Sequence, residues 1–227
     1  MAGLLGGPRF GPKAGGKPRQ LVGLLHGVGA DGQDLIELAP IWAEALPEAA
    51  FVAPDAPSPC DMFPPGAPFG RQWFSLQDRS PARLAAGVRA VAPAVEAFLA
   101  AELARLALPP SALALMGFSQ GAMTALFAGL RRAIPPAAIL AYSGALLAPE
   151  SLTAEIASRP PVLLVHGEAD DIVPVQASRA AESVLRAVGV PVQARYIPGL
   201  GHGIEETGLA AGAEALRRGF GLGPPSA

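Results

Sequence analysis

Cysteine is almost missing from this chain: Cys60 stands alone, which excludes an intrachain disulfide and fits a reducing compartment. Histidine is scarce as well, and its three copies lie far apart in sequence, which argues against a zinc site. Charge is thin, at 16% of residues, and nearly balanced at a formal −2. That balance offers no electrostatic footprint for nucleic acid or for an anionic membrane. No apolar run reads as long enough to span a bilayer, and the first twenty residues lack the apolar block of a secretory signal. These absences predict a cytoplasmic protein with no stable membrane insertion. What the chain does have is apolar mass: 51% of its 227 residues, enough to fill one core and too much for disorder. Its 27 glycines and 25 prolines form no repeat and read as loop punctuation.

Residues 1–19 scatter Arg9, Lys13, Lys17 and Arg19 among glycines and prolines and read as a loose N-terminal arm. Residues 20–227 read as one domain. Short apolar runs at Gln20–His26, Ala50–Pro54, Ala112–Gly117, Ala138–Ser143, Val162–His166 and Val192–Ile197 predict strands. Helical spacing lies between them: one helix through Leu35 and Trp42 ending before Pro47, and a long one from Leu84 to Leu103, bent or interrupted near Pro93. Further helices are expected over Gly121–Arg132, Val175–Val188 and Gly203–Gly219. Continuous apolar strands alternating with helices predict an α/β fold, a mostly parallel sheet with helices on both faces. In such sheets ligands bind beyond the carboxyl ends of the strands.

Gly117-Phe118-Ser119-Gln120-Gly121 sits at one such end, between an apolar strand and a helix. A serine at the apex of a strand–turn–helix has a strained backbone, and glycines two places to either side relieve the crowding. This is a nucleophile elbow. A nucleophilic serine needs a base, an orienting acid and a site for the oxyanion. His202, in the loop Gly199-Leu200-Gly201-His202-Gly203 after the last strand, is the histidine placed to serve as base. The acid is expected after the preceding strand, where Glu168, Asp170 and Asp171 all qualify by chemistry; spacing does not decide between Asp170 and Asp171. The chain order serine, acid, histidine is that of α/β hydrolases. Two N–H donors for the oxyanion are expected at Gln120 and at Val28, the latter in the loop His26-Gly27-Val28-Gly29. His26 and His166 read as structural hydrogen-bonding residues. In the irregular stretch 53–80, Met62, Phe63, Phe69, Trp73 and Phe74 either pack beneath the loop or line an apolar substrate pocket.

The same glycine loop competes for another role. Gly27-Val28-Gly29-Ala30-Asp31-Gly32 fits a dinucleotide fingerprint, with Asp55 further along. Asp31 and Asp34 oppose a pyrophosphate there, and that reading leaves Ser119, Asp170 and His202 without a shared task.

With these motifs in place, the chain from Gln20 onward resembles the phospholipase/carboxylesterase family of α/β hydrolases, which includes the acyl-protein thioesterases. The resemblance rests on Leu25-His26-Gly27-Val28-Gly29-Ala30-Asp31-Gly32, Gly70-Arg71-Gln72-Trp73-Phe74 and Gly117-Phe118-Ser119-Gln120-Gly121. His166-Gly167-Glu168-Ala169-Asp170 with Val173-Pro174, and Gly201-His202, complete it. It implies a three-layer α/β sandwich with Ser119 as nucleophile, His202 as base and Asp170 as acid. Val28 falls on the family's first oxyanion amide, and Glu168 stands where the family carries a first aspartate. The implied activity is hydrolysis of small carboxylic esters of short to medium acyl chain, with lysophospholipids and acyl thioesters as alternatives. No metal or organic cofactor is implied, and the apolar composition is compatible with a homodimer.

Overall fold

The computed structural model describes residues 5–64 and 70–223. In chain order the elements are β1 (Arg9–Phe10), β2 (Gln20–Leu25), α1 (Gly32–Ile36), α2 (Leu38–Ala45), β3 (Ala49–Val52), β4 (Ser58–Pro59), β5 (Arg71–Gln72) and α3 (Pro81–Arg105). There follow β6 (Leu113–Phe118), α4 (Gln120–Leu130), β7 (Ile139–Tyr142), α5 (Pro149–Glu155), β8 (Val162–Gly167), α6 (Gln176–Ala187), β9 (Val192–Ile197) and α7 (Glu206–Gly219). Seven strands form one sheet in the order β1-β3-β2-β6-β7-β8-β9, and β4 pairs with β5 apart from it. Every pairing in the large sheet is parallel except β1 with β3. This is the α/β hydrolase arrangement.

The pleat explains why the central strands are apolar throughout. Leu21 and Leu25 of β2 and Leu113 and Leu115 of β6 pack on one face with Val88, Val95 and Phe98 of α3 and Leu126 of α4. Val22, Leu24, Ala114 and Met116 point the other way, onto Leu35, Trp42 and Leu216 of α1, α2 and α7. Alternate residues thus serve two cores, so neither face leaves room for polar side chains. Polar anchors pin α7 to the sheet: Tyr142 donates to Gly208 O at 2.8 Å, and Trp42 Nε1 donates to Leu209 O at 3.0 Å.

Three expectations change. The arm over 1–19 is docked where it is described: Arg9 and Phe10 pair with Val52 and Phe51, Ala53 N donates to Pro8 O, and Arg9 binds Glu102 of α3. A bare β3 edge would leave a row of backbone groups unpaired, and the arm covers it. The helix expected through Leu35 and Trp42 divides at Glu37 into α1 and α2. And α3 runs unbroken through Pro93, 25 residues long and apolar enough by length and composition to cross a membrane. Its alanines hide that length from a reading keyed to large apolar residues; in the fold Val88, Val91, Val95, Phe98 and Leu99 bury one face against the sheet and α4.

Candidate active site

Ser119 is the first residue beyond β6, with φ +53° and ψ −116°, a conformation that L-residues rarely adopt. The turn survives because its surroundings over-determine it. A Cβ at Gly117 would overlap the backbone of Gly121, and one at Gly121 would overlap the Leu25 carbonyl. Ser119 N donates to Tyr142 O at 2.8 Å, and Ser119 O caps α4 by accepting from Ala122 N and Met123 N. Gly27 lies alongside, where a Cβ would stand 3.5 Å from Ser119 Cβ. The loop carrying Val28 therefore passes directly beside the serine. Among the described residues, neither Val28 N–H nor Gln120 N–H donates to a protein acceptor.

The acid and the histidine are joined outright. Asp170 Oδ2 accepts from His202 Nδ1 at 2.7 Å, and Oδ1 accepts from Ile172 N at 3.0 Å and Val173 N at 2.9 Å. Burial alone would raise the Asp170 pKa, but the His202 bond and the two amide donors outweigh it and hold the carboxyl below the ordinary 3.8. Asp170 stays ionised beside the imidazole. The Asp170 bond also fixes which ring nitrogen of His202 carries its proton, leaving Nε2 to accept. Asp171 is exposed, and Glu168 pairs with Arg179 at the surface at 2.7 Å, so neither touches His202. Of the three carboxylates, Asp170 is the one bonded to His202.

His202 reaches the serine's neighbourhood by packing against Phe118, one residue before Ser119, with ring centroids 4.9 Å apart and planes tilted by 45°. No hydrogen bond joins Ser119 Oγ to His202 Nε2 in this unliganded arrangement; such contacts commonly tighten when substrate binds. The His202 loop can lie against β8 because a Cβ at Gly167 would overlap Leu200 O.

The aromatic residues divide. Trp73 and Phe74 are buried at 2% and 6% exposure and belong to the core beneath the site, the packing alternative of the two expected for them, rather than a pocket wall. They act through their backbone and the indole N–H. Gln120 Oε1 accepts from Trp73 N at 2.8 Å, Gln120 Nε2 donates to Phe74 O at 2.7 Å, and Trp73 Nε1 donates to His26 O at 2.8 Å. Here lies the reason for a glutamine after the serine: its side chain clamps the 70–74 segment to the elbow. Arg71 in turn exchanges backbone bonds with Gly29 and Ala30, bracing the Val28 loop. Met62 and Phe63 are exposed, at 54% and 42%, and the Phe63 ring stands 3.5 Å from where a Gly29 Cβ would be. Phe69 lies outside the described residues.

His26 is a support. Its Nε2 accepts from Ala56 N at 3.0 Å, so Nδ1 carries the proton and donates to Gly27 O at 2.7 Å. Burial lowers its pKa, keeping the ring neutral as this bonding requires. The dinucleotide reading fails in the same loop. Asp55 Oδ1 takes Gly32 N at 2.9 Å, and Asp31 Oδ1 takes Gln33 N and Asp34 N. These bonds occupy the Gly32, Gln33 and Asp34 amides, the first three of the five-residue α1, on which a pyrophosphate would have to rest.

A phospholipase/carboxylesterase family profile matches residues 12–218. The chain belongs to that family. It is an enzyme of the esterase and thioesterase type of α/β hydrolase. Esterase YpfH of Escherichia coli is 28% identical over 199 residues, covering 88% of this chain and 82% of that protein. Acyl-protein thioesterase 1 of Neurospora crassa is 28% identical over 196 residues, with 78% of each chain covered. The crystal structure of esterase PE8 superposes with a TM-score of 0.88 at 44% identity, covering 94% of this chain and 98% of that one.

Proposed function

We propose that this family member is a serine hydrolase of small carboxylic esters working through an acyl-enzyme. Ser119 Oγ attacks the ester carbonyl while His202 Nε2 takes its proton, and Asp170 stabilises the imidazolium that results. The Val28 and Gln120 amides hold the oxyanion of the tetrahedral intermediate. His202 protonates the departing alcohol. Water then attacks the acyl-enzyme, with His202 again as base, releasing the acid and freeing Ser119. Every atom is accounted for by ester and water. The observation that carries this reading is the Asp170–His202 bond of 2.7 Å together with a left-handed serine near which the Val28 and Gln120 N–H groups have no acceptor among the described residues.

Met62 and Phe63, exposed near the Val28 loop, support an apolar acyl chain of short to medium length at the mouth. The likeness to an acyl-protein thioesterase supports a second reading in which the same serine accepts thioesters. The test is Ser119→Ala with a chromogenic short-chain ester. Turnover is expected to fall by about 10⁴-fold or more in a folded protein, and a near wild-type rate would refute the nucleophile. Comparing kcat/KM for matched esters and thioesters across chain lengths then ranks the two substrate classes.

A further inference from the structure

A second buried histidine stands behind the acid. His166, in β8, has no exposed surface, and its Nε2 lies 2.8 Å from Val173 O and 3.1 Å from Asp170 Oδ2. Both neighbours are acceptors, so Nε2 must carry a proton; a bare nitrogen there would set its lone pair against two others. On the far side of the ring, Nδ1 is 2.6 Å from Ser178 Oγ of α6, itself buried and 3.2 Å from Gly144 O. The ring is therefore held at both nitrogens, with one orientation that satisfies them.

That orientation bears on Asp170 twice. The Nε2–H pins Val173 by its carbonyl, and the N–H groups of Ile172 and Val173 hold Asp170 Oδ1. The same Nε2–H flanks Oδ2, the oxygen that receives His202. On the packed elements, Arg179 and Glu182 of α6 are engaged with Glu168 and with Arg186 and Tyr196, the last being the β9 register partner of His166, and Arg195 is the neighbouring β9 charge. An apolar side chain of similar volume would fill the space but hold neither the turn nor the carboxylate.

We infer that His166, backed by Ser178, is a positioning residue that fixes the Asp170 carboxylate for His202. This rests on the proposed roles of Asp170 and His202. Glutamine at 166 reaches the Nε2 position and keeps the donor to Val173 O and Asp170; asparagine is one carbon shorter and loses it. With a chromogenic ester and active sites counted by fluorophosphonate titration, His166→Asn is expected to lower kcat about tenfold or more with KM within twofold. His166→Gln is expected to recover most of that loss. The low-field proton resonance of the His202–Asp170 bond is expected to broaden or vanish in His166→Asn and to persist in His166→Gln. Wild-type kcat in folded His166→Asn, with Ser119→Ala inactive, would overturn the positioning role and leave the hydrolase reading standing. Activity retained in Ser119→Ala would instead sink that reading itself. Should His166→Asn not fold, long-range ¹H–¹⁵N correlations on wild-type protein decide: a proton on His166 Nε2 is required, and a proton on Nδ1 alone overturns the inference.

Discussion

At the scale of the residue, two adjacent aspartates with the same chemistry end in opposite environments. Asp170 is folded back into its own turn, where the Ile172 and Val173 amides and the His202 and His166 rings aim at it, while Asp171 faces solvent. Asp170→Asn is therefore expected to cut kcat by about 10³-fold or more, by turning the His202 tautomer the wrong way. Asp171→Asn should stay within about threefold, which steady-state rates will check. The reverse ranking would move the acid one place along. Gln120 carries a second test. Its backbone N–H is the one proposed for the oxyanion, whereas its side chain satisfies Trp73 N and Phe74 O. Gln120→Ala keeps the first and strands both of the others, so a stability loss of about 1–3 kcal/mol per stranded group is expected in chemical denaturation. Asp170 itself was legible only through the family resemblance, because spacing cannot say which carboxylate a turn buries. The clamp by Gln120 carried no signal in the sequence beyond the residue following the serine.

At the scale of the element, the site depends on how closely backbones approach. Gly121 lets α4 press against the end of β2, and a Cβ there would strike the Leu25 carbonyl. Gly121→Ala is expected to cost about 3 kcal/mol or more, since backbone cannot yield as a side-chain tip would. The edge strand β1 hangs on a different interaction. Glu102 of α3 is buried, which raises its pKa, but bonds from Arg9 and Arg105 outweigh burial and hold it below the ordinary 4.5. A carboxylate depressed in the folded state stabilises the fold above its unfolded pKa and loses that contribution as pH falls through the folded value. Glu102→Gln should thus lower Tm at neutral pH, and the gap from wild type should narrow as pH drops below about 4.5. A constant gap across that range would disprove the latch. The strands of the sheet's centre were readable because their apolar runs serve two cores at once. Two-residue strands such as β1 have no periodicity to detect, and the arm's scattered glycines and prolines concealed its pairing.

At the scale of the whole molecule, the parallel sheet gathers three chain positions at one rim: Ser119 just past β6, Asp170 past β8 and His202 past β9. The same rim receives the Val28 loop after β2, which places one glycine-rich segment beside Ser119, where the proposed oxyanion would form. Saturating NAD or NADP is accordingly expected to leave Tm unchanged; a clear rise with either would revive nucleotide binding. What the sequence determined alone was the order of the six main strands and of the longer helices between them, the elbow, and the list of groups able to do acyl transfer. Those are local or patterned properties, set by apolar period, glycine and residue chemistry. The tertiary structure alone decided which carboxylate meets His202, that Trp73 and Phe74 support rather than line the site, and that His166 stands against Asp170. Each depends on side chains distant along the chain sharing a few ångströms of buried space, where competition for hydrogen-bond partners selects among chemically equivalent candidates.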